Sequence, residues 1–381
     1  MLLPVNAQRL ADTFTTLCEI DSPSRQEGQV AAYLNTLCRD ELKPAAAYED
    51  NSATSTGSDC GNLIFRFDGD PERAPLFFNC HMDTVSPCQG IKVRFDGTSF
   101  TSHGETILGA DDKAGIAMLI EMMRILQETE TPHAPIELIF TTCEEIGLLG
   151  AKNLDYNKIR AKMGFALDSA GVDLVVIGAP AANRFTVKIQ GVAAHAGLHP
   201  EQGVNGIQLA SQAISGLALG RLDEESTANI GLISGGTATN IIPDQVLVHG
   251  EVRSHCENKL QTFTDNIESH FRKTVAAWYA DNPATPSPPP LQWNVSKEYP
   301  AVKLESDQPL LTLLSKAANA LDRPLKQLVS GGGSDANIFN GNGLTTAILG
   351  IGMTKVHTTE ETISINDMIR TTELITSAAT T

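Results

Sequence analysis

The chain has 381 residues, 41% of them hydrophobic, with 28 Lys and Arg against 45 Asp and Glu for a formal charge of −17. At about 150 residues per domain this length implies two domains, with ample apolar content for their cores. So acidic a surface repels phosphate backbones and anionic lipid, and no segment approaches the roughly 18 consecutive apolar residues of a membrane span, so nucleic acid and membrane are excluded as expected partners.

The N-terminal segment lacks the basic region, apolar core and small-residue cleavage site of a secretory signal. The seven cysteines are odd in number and contain no C-x-x-C pair, which implies reduced thiols in a cytoplasmic protein rather than a disulfide framework or a thiolate zinc site. Apolar residues at three- and four-residue spacing predict helices over 7–20 and 26–42, and the polar stretch 48–61 reads as a loop. Strands are then expected over 62–67, 76–80, 136–142 and 164–167, with an amphipathic helix over 114–127. This alternation implies an α/β fold: a mostly parallel sheet with helices on both faces.

The pattern changes near Ala182. Strands over 184–190, 227–233, 245–253 and 292–297, with helices over 204–218 and 258–280, give the order β-α-β-β-α-β of a ferredoxin-like α+β unit. The proline-rich run from Asp281 to Pro290 reads as a loop inside it. A helix over 308–321 and a strand over 345–350 resume the α/β pattern. Residues 1–181 and 299–381 are therefore expected to form one domain, interrupted by an inserted smaller domain over 182–298.

In open α/β sheets ligands gather beyond the carboxyl ends of the strands. Those ends lead here into His81 and Asp83, into Glu144 and Glu145, into Asp168 and, a few residues on, into His357; Asp111 and Asp112 precede a helix. Imidazole and carboxylate without thiolate are the ligands of catalytic zinc, cobalt or manganese, which keep a position open for water. Individually these residues have ordinary readings. Glu144 and Glu145 suit a helix start, where carboxylates favour the dipole, and Asp111 or Asp112 suits a helix N-cap. Their convergence on one sheet edge is what favours a site.

The motifs His81-Met82-Asp83, Leu108-Gly109-Ala110-Asp111-Asp112-Lys113-Ala114-Gly115, Thr142-Cys143-Glu144-Glu145-Ile146-Gly147, Leu167-Asp168 and His357-Thr358 together resemble the co-catalytic zinc metallopeptidases. That family includes carboxypeptidase G, aminoacylase-1, succinyl-diaminopimelate desuccinylase and peptidase T, and the fuller strings ILGADDKAGIA, EEIGLLGAKNLD and GGGSDANIF are most similar to the peptidase T group. The resemblance implies two divalent ions, zinc by expectation with cobalt or manganese as alternatives. Asp111 would bridge them, with His81 and Asp168 on one and Glu145 and His357 on the other. Glu144 would be the general base toward the water between them, and Asp83 would orient the His81 imidazole. A cis peptide after Asp111 is implied as well. From the inserted domain, a lid by this resemblance, His195 would steady the oxyanion, while Asn240 and Arg253 would bind substrate polar groups.

The implied function is a tripeptidase-like aminopeptidase acting on short peptides, with a homodimer formed through the lid. A metal-dependent deacylase of N-acyl amino acids or other small amides is the alternative within this class. A catalytically silent relative, and a cysteine hydrolase using Cys143, are readings from other classes. The first would need a lost ligand, whereas all are present; the second would need a thiolate beside two glutamates.

Overall fold

The computed structural model describes residues 4–282 and 290–381. Most of the proline-rich run (residues 283–289) lies outside them. The chain divides into two compact units, Met1–Gly178 with Lys303–Thr381, and Ala179–Val302.

In the first unit the central strands are Ile136–Thr141, Leu76–His81, Met163–Ser169 and Thr345–Gly350, neighbours in that order and mutually parallel. Leu76 and Ile136 are fully buried, as befits a sheet covered on both sides. Glu137 is buried within this sheet, but its carboxylate accepts from the Arg160 and Ala161 amides and from Arg66 Nε, so the charge is matched. Antiparallel strands Leu63–Phe67 and Ala46–Glu49 extend one side. On the other side Leu174–Ala179 runs antiparallel to Thr345–Gly350 and parallel to Lys326–Val329. The four central strands start nearly flush, since Leu76 pairs with both Ile136 and Met163, and Met163 with Thr345. Their carboxyl ends consequently open on one edge.

Helix Ala110–Glu128 packs against the strand Leu76–His81 and the helices Ala7–Cys18 and Ile365–Thr380. In Ala7–Cys18 the Asn6 side chain accepts from the Arg9 amide at 3.1 Å, and Leu10, Phe14 and Leu17 form the buried stripe. A second group, Asp335–Gly341 with Leu149–Lys152, lies over Thr345–Gly350 and Met163–Ser169. The second expected helix is shorter than its apolar spacing implied: Gly28–Leu37 passes into a π-turn at Cys38–Leu42. The expected loop 48–61 contains the end of the strand Ala46–Glu49 and a one-turn helix, Ala53–Thr56.

The second unit forms one antiparallel sheet in the order Gly220–Arg221, Ser226–Gly235, Gln245–Ser254, Ala181–Gln190, Leu291–Tyr299, with helices Gly206–Ser215 and Glu257–Asp281 packed against it. This is the ferredoxin-like arrangement. Its core includes Phe185, Val187, Leu209, Val248 and Phe271, with Phe185 stacked on Trp293 at 4.8 Å between ring centres.

Candidate metal centre

Within the first unit the sheet edge gathers the expected donors into two groups that share one residue. Ligand atoms of His81, Asp111 and Asp168 lie within 4.8 Å of one another, and so do those of Asp111, Glu145 and His357. His81 Nε2 stands 3.0 Å from Asp111 Oδ1, while His357 Nε2 is 3.3 Å from Asp111 Oδ2 and 3.0 Å from Glu145 Oε1. The two oxygens of Asp111 therefore face the two imidazoles. Glu144 lies beside the first group, within the same distance of His81 and Glu145.

The supports of this cluster are backbone bonds to buried carboxylates. His81 ends its strand, and its Nδ1 meets the backbone carbonyl of Asp83 at 2.9 Å, with the Asp83 side chain farther off at 3.5 Å. The Asp83 carboxylate also accepts from the Glu144 amide (2.9 Å), the Glu145 amide (3.2 Å) and the Ser24 hydroxyl (2.6 Å). The residue expected to orient the imidazole therefore also holds the turn carrying both glutamates. The preceding amide, Cys143, has φ of +53° and donates to Glu27 Oε1 at 2.9 Å. Asp112 is no cap to its own helix: Oδ2 accepts from the His81 amide at 3.1 Å, and the Asp111–Asp112 peptide is cis.

Electrostatics follow from crowding. Burial alone would depress the His81 imidazole, but hydrogen bonds to Asp111 and Asp83 hold its pKa well above the usual range. Hydrogen bonds donated to Asp111 and Glu145 push His357 up to about 10. Asp111 moves the other way, since hydrogen bonds to both imidazoles outweigh its burial. Burial drives Glu144 well up, and the negative charges of Asp168, Asp335 and Glu145 add to this against the pull of His81. Burial likewise raises Asp168, with Asp111 and Glu145 adding to it. Carboxylates so close must take up protons unless a cation is present, and the donor set (two imidazoles, three carboxylates, no thiolate) fits two divalent ions.

A pH dependence follows. Protons held on His357 and on the raised carboxylates in the metal-free chain must leave when these atoms ligate an ion. Metal binding at pH 7 is therefore expected to release protons, and apparent affinity to rise with pH toward the His357 value. Calorimetric zinc titrations in two buffers of different ionisation enthalpy measure the proton count directly; zero net release contradicts this assignment.

Asp335 is buried, accepts the Thr141 hydroxyl at 2.5 Å, and is pushed up to about 6 chiefly by burial. Ser334, which follows the run Gly331–Gly333, caps the helix Asp335–Gly341 in a capping box with Asn337. Burial and the charges of Glu27 and Asp83, rather than the adjacent glutamates, push the Cys143 thiol up to about 12, so it is no thiolate at neutral pH.

In the second unit His195 is exposed, with the Gly197 and Leu198 amides donating to Nδ1 at 3.2 Å each. The Ala196 amide donates to the Asn240 carbonyl at 3.0 Å, which brings His195 and Asn240 together. Arg253 lies near the far end of the strand Gln245–Ser254, and its guanidinium is held by Glu251 at 2.9 Å. From Gln245 to Arg253 an extended strand covers roughly 26 Å, so the structure does not place Arg253 with the other two inside this unit.

Residues 77–381 match the model for peptidase family M20/M25/M40. The uncharacterised protein YqjE of Bacillus subtilis (strain 168) is 37% identical over 375 residues, 97% of each chain. Among solved structures, aminopeptidase PepT from Bacillus cereus ATCC 10987 superposes with a TM-score of 0.86 at 37% identity, over 99% of this chain and 98% of that one. A tripeptidase from Staphylococcus aureus subsp. aureus Mu50 gives 0.90 at 34% identity, over 99% and 98%. With these relatives spanning almost its whole length and its donor clusters at the sheet edge, the chain is a peptidase of family M20/M25/M40.

Proposed function

We propose that the chain is a di-metal aminopeptidase that hydrolyses the N-terminal amide bond of short peptides, tripeptides foremost. The observation that carries this is the sharing of Asp111 between two donor groups, with Glu144 beside them. When bound, a zinc pair supplies a water acidified to a pKa of about 7 and polarises the scissile carbonyl. Glu144 takes that water's proton and delivers it to the leaving amine. Its carboxylate stands buried beside His81 and Glu145, next to the donors that would hold the ions, which is where a proton-transfer group must lie. Asp83 fixes the Glu144 and Glu145 amides, so base and ligand move as one body. His195, Asn240 and Arg253 are the proposed substrate contacts of the second unit.

The substrate reading is supported by the near full-length likeness to an aminopeptidase and a tripeptidase. A homodimer through the second unit is part of this proposal. Leu232 and Ile233 are 68% and 52% exposed on the strand Ser226–Gly235, whose outer edge beyond Ala228 pairs with no other strand among the described residues. A cytoplasmic site of action accords with cysteines that are all free, six of them buried. Zinc-, cobalt- or manganese-loaded protein should cleave tripeptides with higher kcat/KM than dipeptides or N-acetyl amino acids. Preference for the N-acetyl compounds would overturn the substrate assignment and make the chain a deacylase.

A further inference from the structure

Glu361 is 1% exposed, and its carboxylate is bound by backbone amides. Its Oε2 accepts from the Leu108 amide at 2.9 Å and the Gly109 amide at 2.7 Å, and its Oε1 from the Asp111 amide at 3.0 Å. These amides can converge because Gly109 is left-handed (φ +77°) and Asp111 departs from helical geometry (ψ 102°) inside the first turn of Ala110–Glu128. Amides at a helix start have no partners within the helix, and an anion there also meets the positive end of the dipole. The turn that presents Asp111 is thus folded around the Glu361 carboxylate.

Glu361 also stands at the base of the segment that presents His357. Thr354 and Thr362 exchange backbone bonds of 3.0 and 3.1 Å, closing residues 354–362 into a hairpin, and the Glu361 amide donates to the Thr358 carbonyl at 3.1 Å. His357 sits near the tip with φ of +62° and is half exposed, on a hairpin rather than on a strand of the central sheet. His81 and Asp168, by contrast, lie in strands of the central sheet.

Resting on the two-ion reading above, we propose that Glu361 is a positioning residue that sets the distance between Asp111 and His357, and so governs the ion held by Asp111, Glu145 and His357 selectively. The other ion shares Asp111 but takes its remaining donors from strand-borne His81 and Asp168, so a shift at 361 disturbs it less. An isosteric amide at 361 keeps the shape but turns one acceptor oxygen into a donor facing a backbone amide.

The test is a cobalt titration of the full chain followed by calorimetry and visible absorption. In E361Q one ion is expected to bind about 10- to 100-fold more weakly, the usual effect of losing a residue that orients a ligand. The other, which also uses Asp111, should weaken far less, and the absorption of the remaining ion should match that of H357A rather than H81A. E361D keeps the charge but is shorter by one methylene. It should show the same selective loss to a smaller degree, and it serves as the readout if E361Q does not fold. Equal weakening of both ions, or a lower Tm with both affinities intact, would make Glu361 a general brace and overturn the inference. Wild-type protein that takes up fewer than two ions would overturn the two-ion reading itself, and this inference with it.

Discussion

Glu144→Ala is expected to lower kcat by about two to four orders of magnitude while the protein still binds two divalent ions. That range is what a positioned proton-transfer group contributes. Glu144 is absent from the two groups that share Asp111, so its removal leaves those donors in place. Its backbone is held by Asp83, which the substitution does not touch. Glu144→Gln keeps size and hydrogen bonding but cannot accept the proton, and it should be equally impaired. Kinetics on a tripeptide, with metal content measured on the same samples, separates the base from a ligand. Near-normal turnover defeats the base role, and loss of an ion reassigns Glu144 as a ligand.

Asp111→Ala is expected to have the broadest effect. One carboxylate serves both groups, with Oδ1 toward His81 and Oδ2 toward His357. Its loss should weaken both ions by more than about 100-fold, the upper figure for losing a mere orienting partner, and abolish turnover. His81→Ala should damage mainly one ion by comparison. Metal content after gel filtration, with circular dichroism to show that the fold is intact, checks this. Retention of two ions by the Asp111→Ala protein would contradict the bridging assignment.

Much of this architecture is legible in periodicity. Largely apolar runs such as Leu76–Cys80, broken only by Asn79, mark strands buried on both faces, and the β-α-β-β-α-β order marks the second unit. Elements stabilised by partners rather than by their own pattern were not legible. Helix Ile365–Thr380 is rich in threonine, a weak helix former, and is held by packing on Ala110–Glu128. The strand Lys326–Val329 has four residues and exists because Leu174–Ala179 offers it an edge.

The donors of the centre were legible because strand ends point to one edge and because of the resemblance that five motifs carry. Glu27 and Glu361 were not, since an acid that binds backbone amides leaves no spacing rule. Asp83 shows the same limit within a recognised motif: its carboxylate serves the Glu144–Glu145 turn, which lies 61 residues away in sequence.

The central claim is that side chains gathered at one sheet edge hold two cations and that catalysis needs both. Activity on a tripeptide, followed as zinc is added stepwise to chelator-stripped protein, tests it most directly. Two equivalents per chain should bind, with full turnover only once the second is in place. Full turnover by stripped protein that contains no metal would contradict the account.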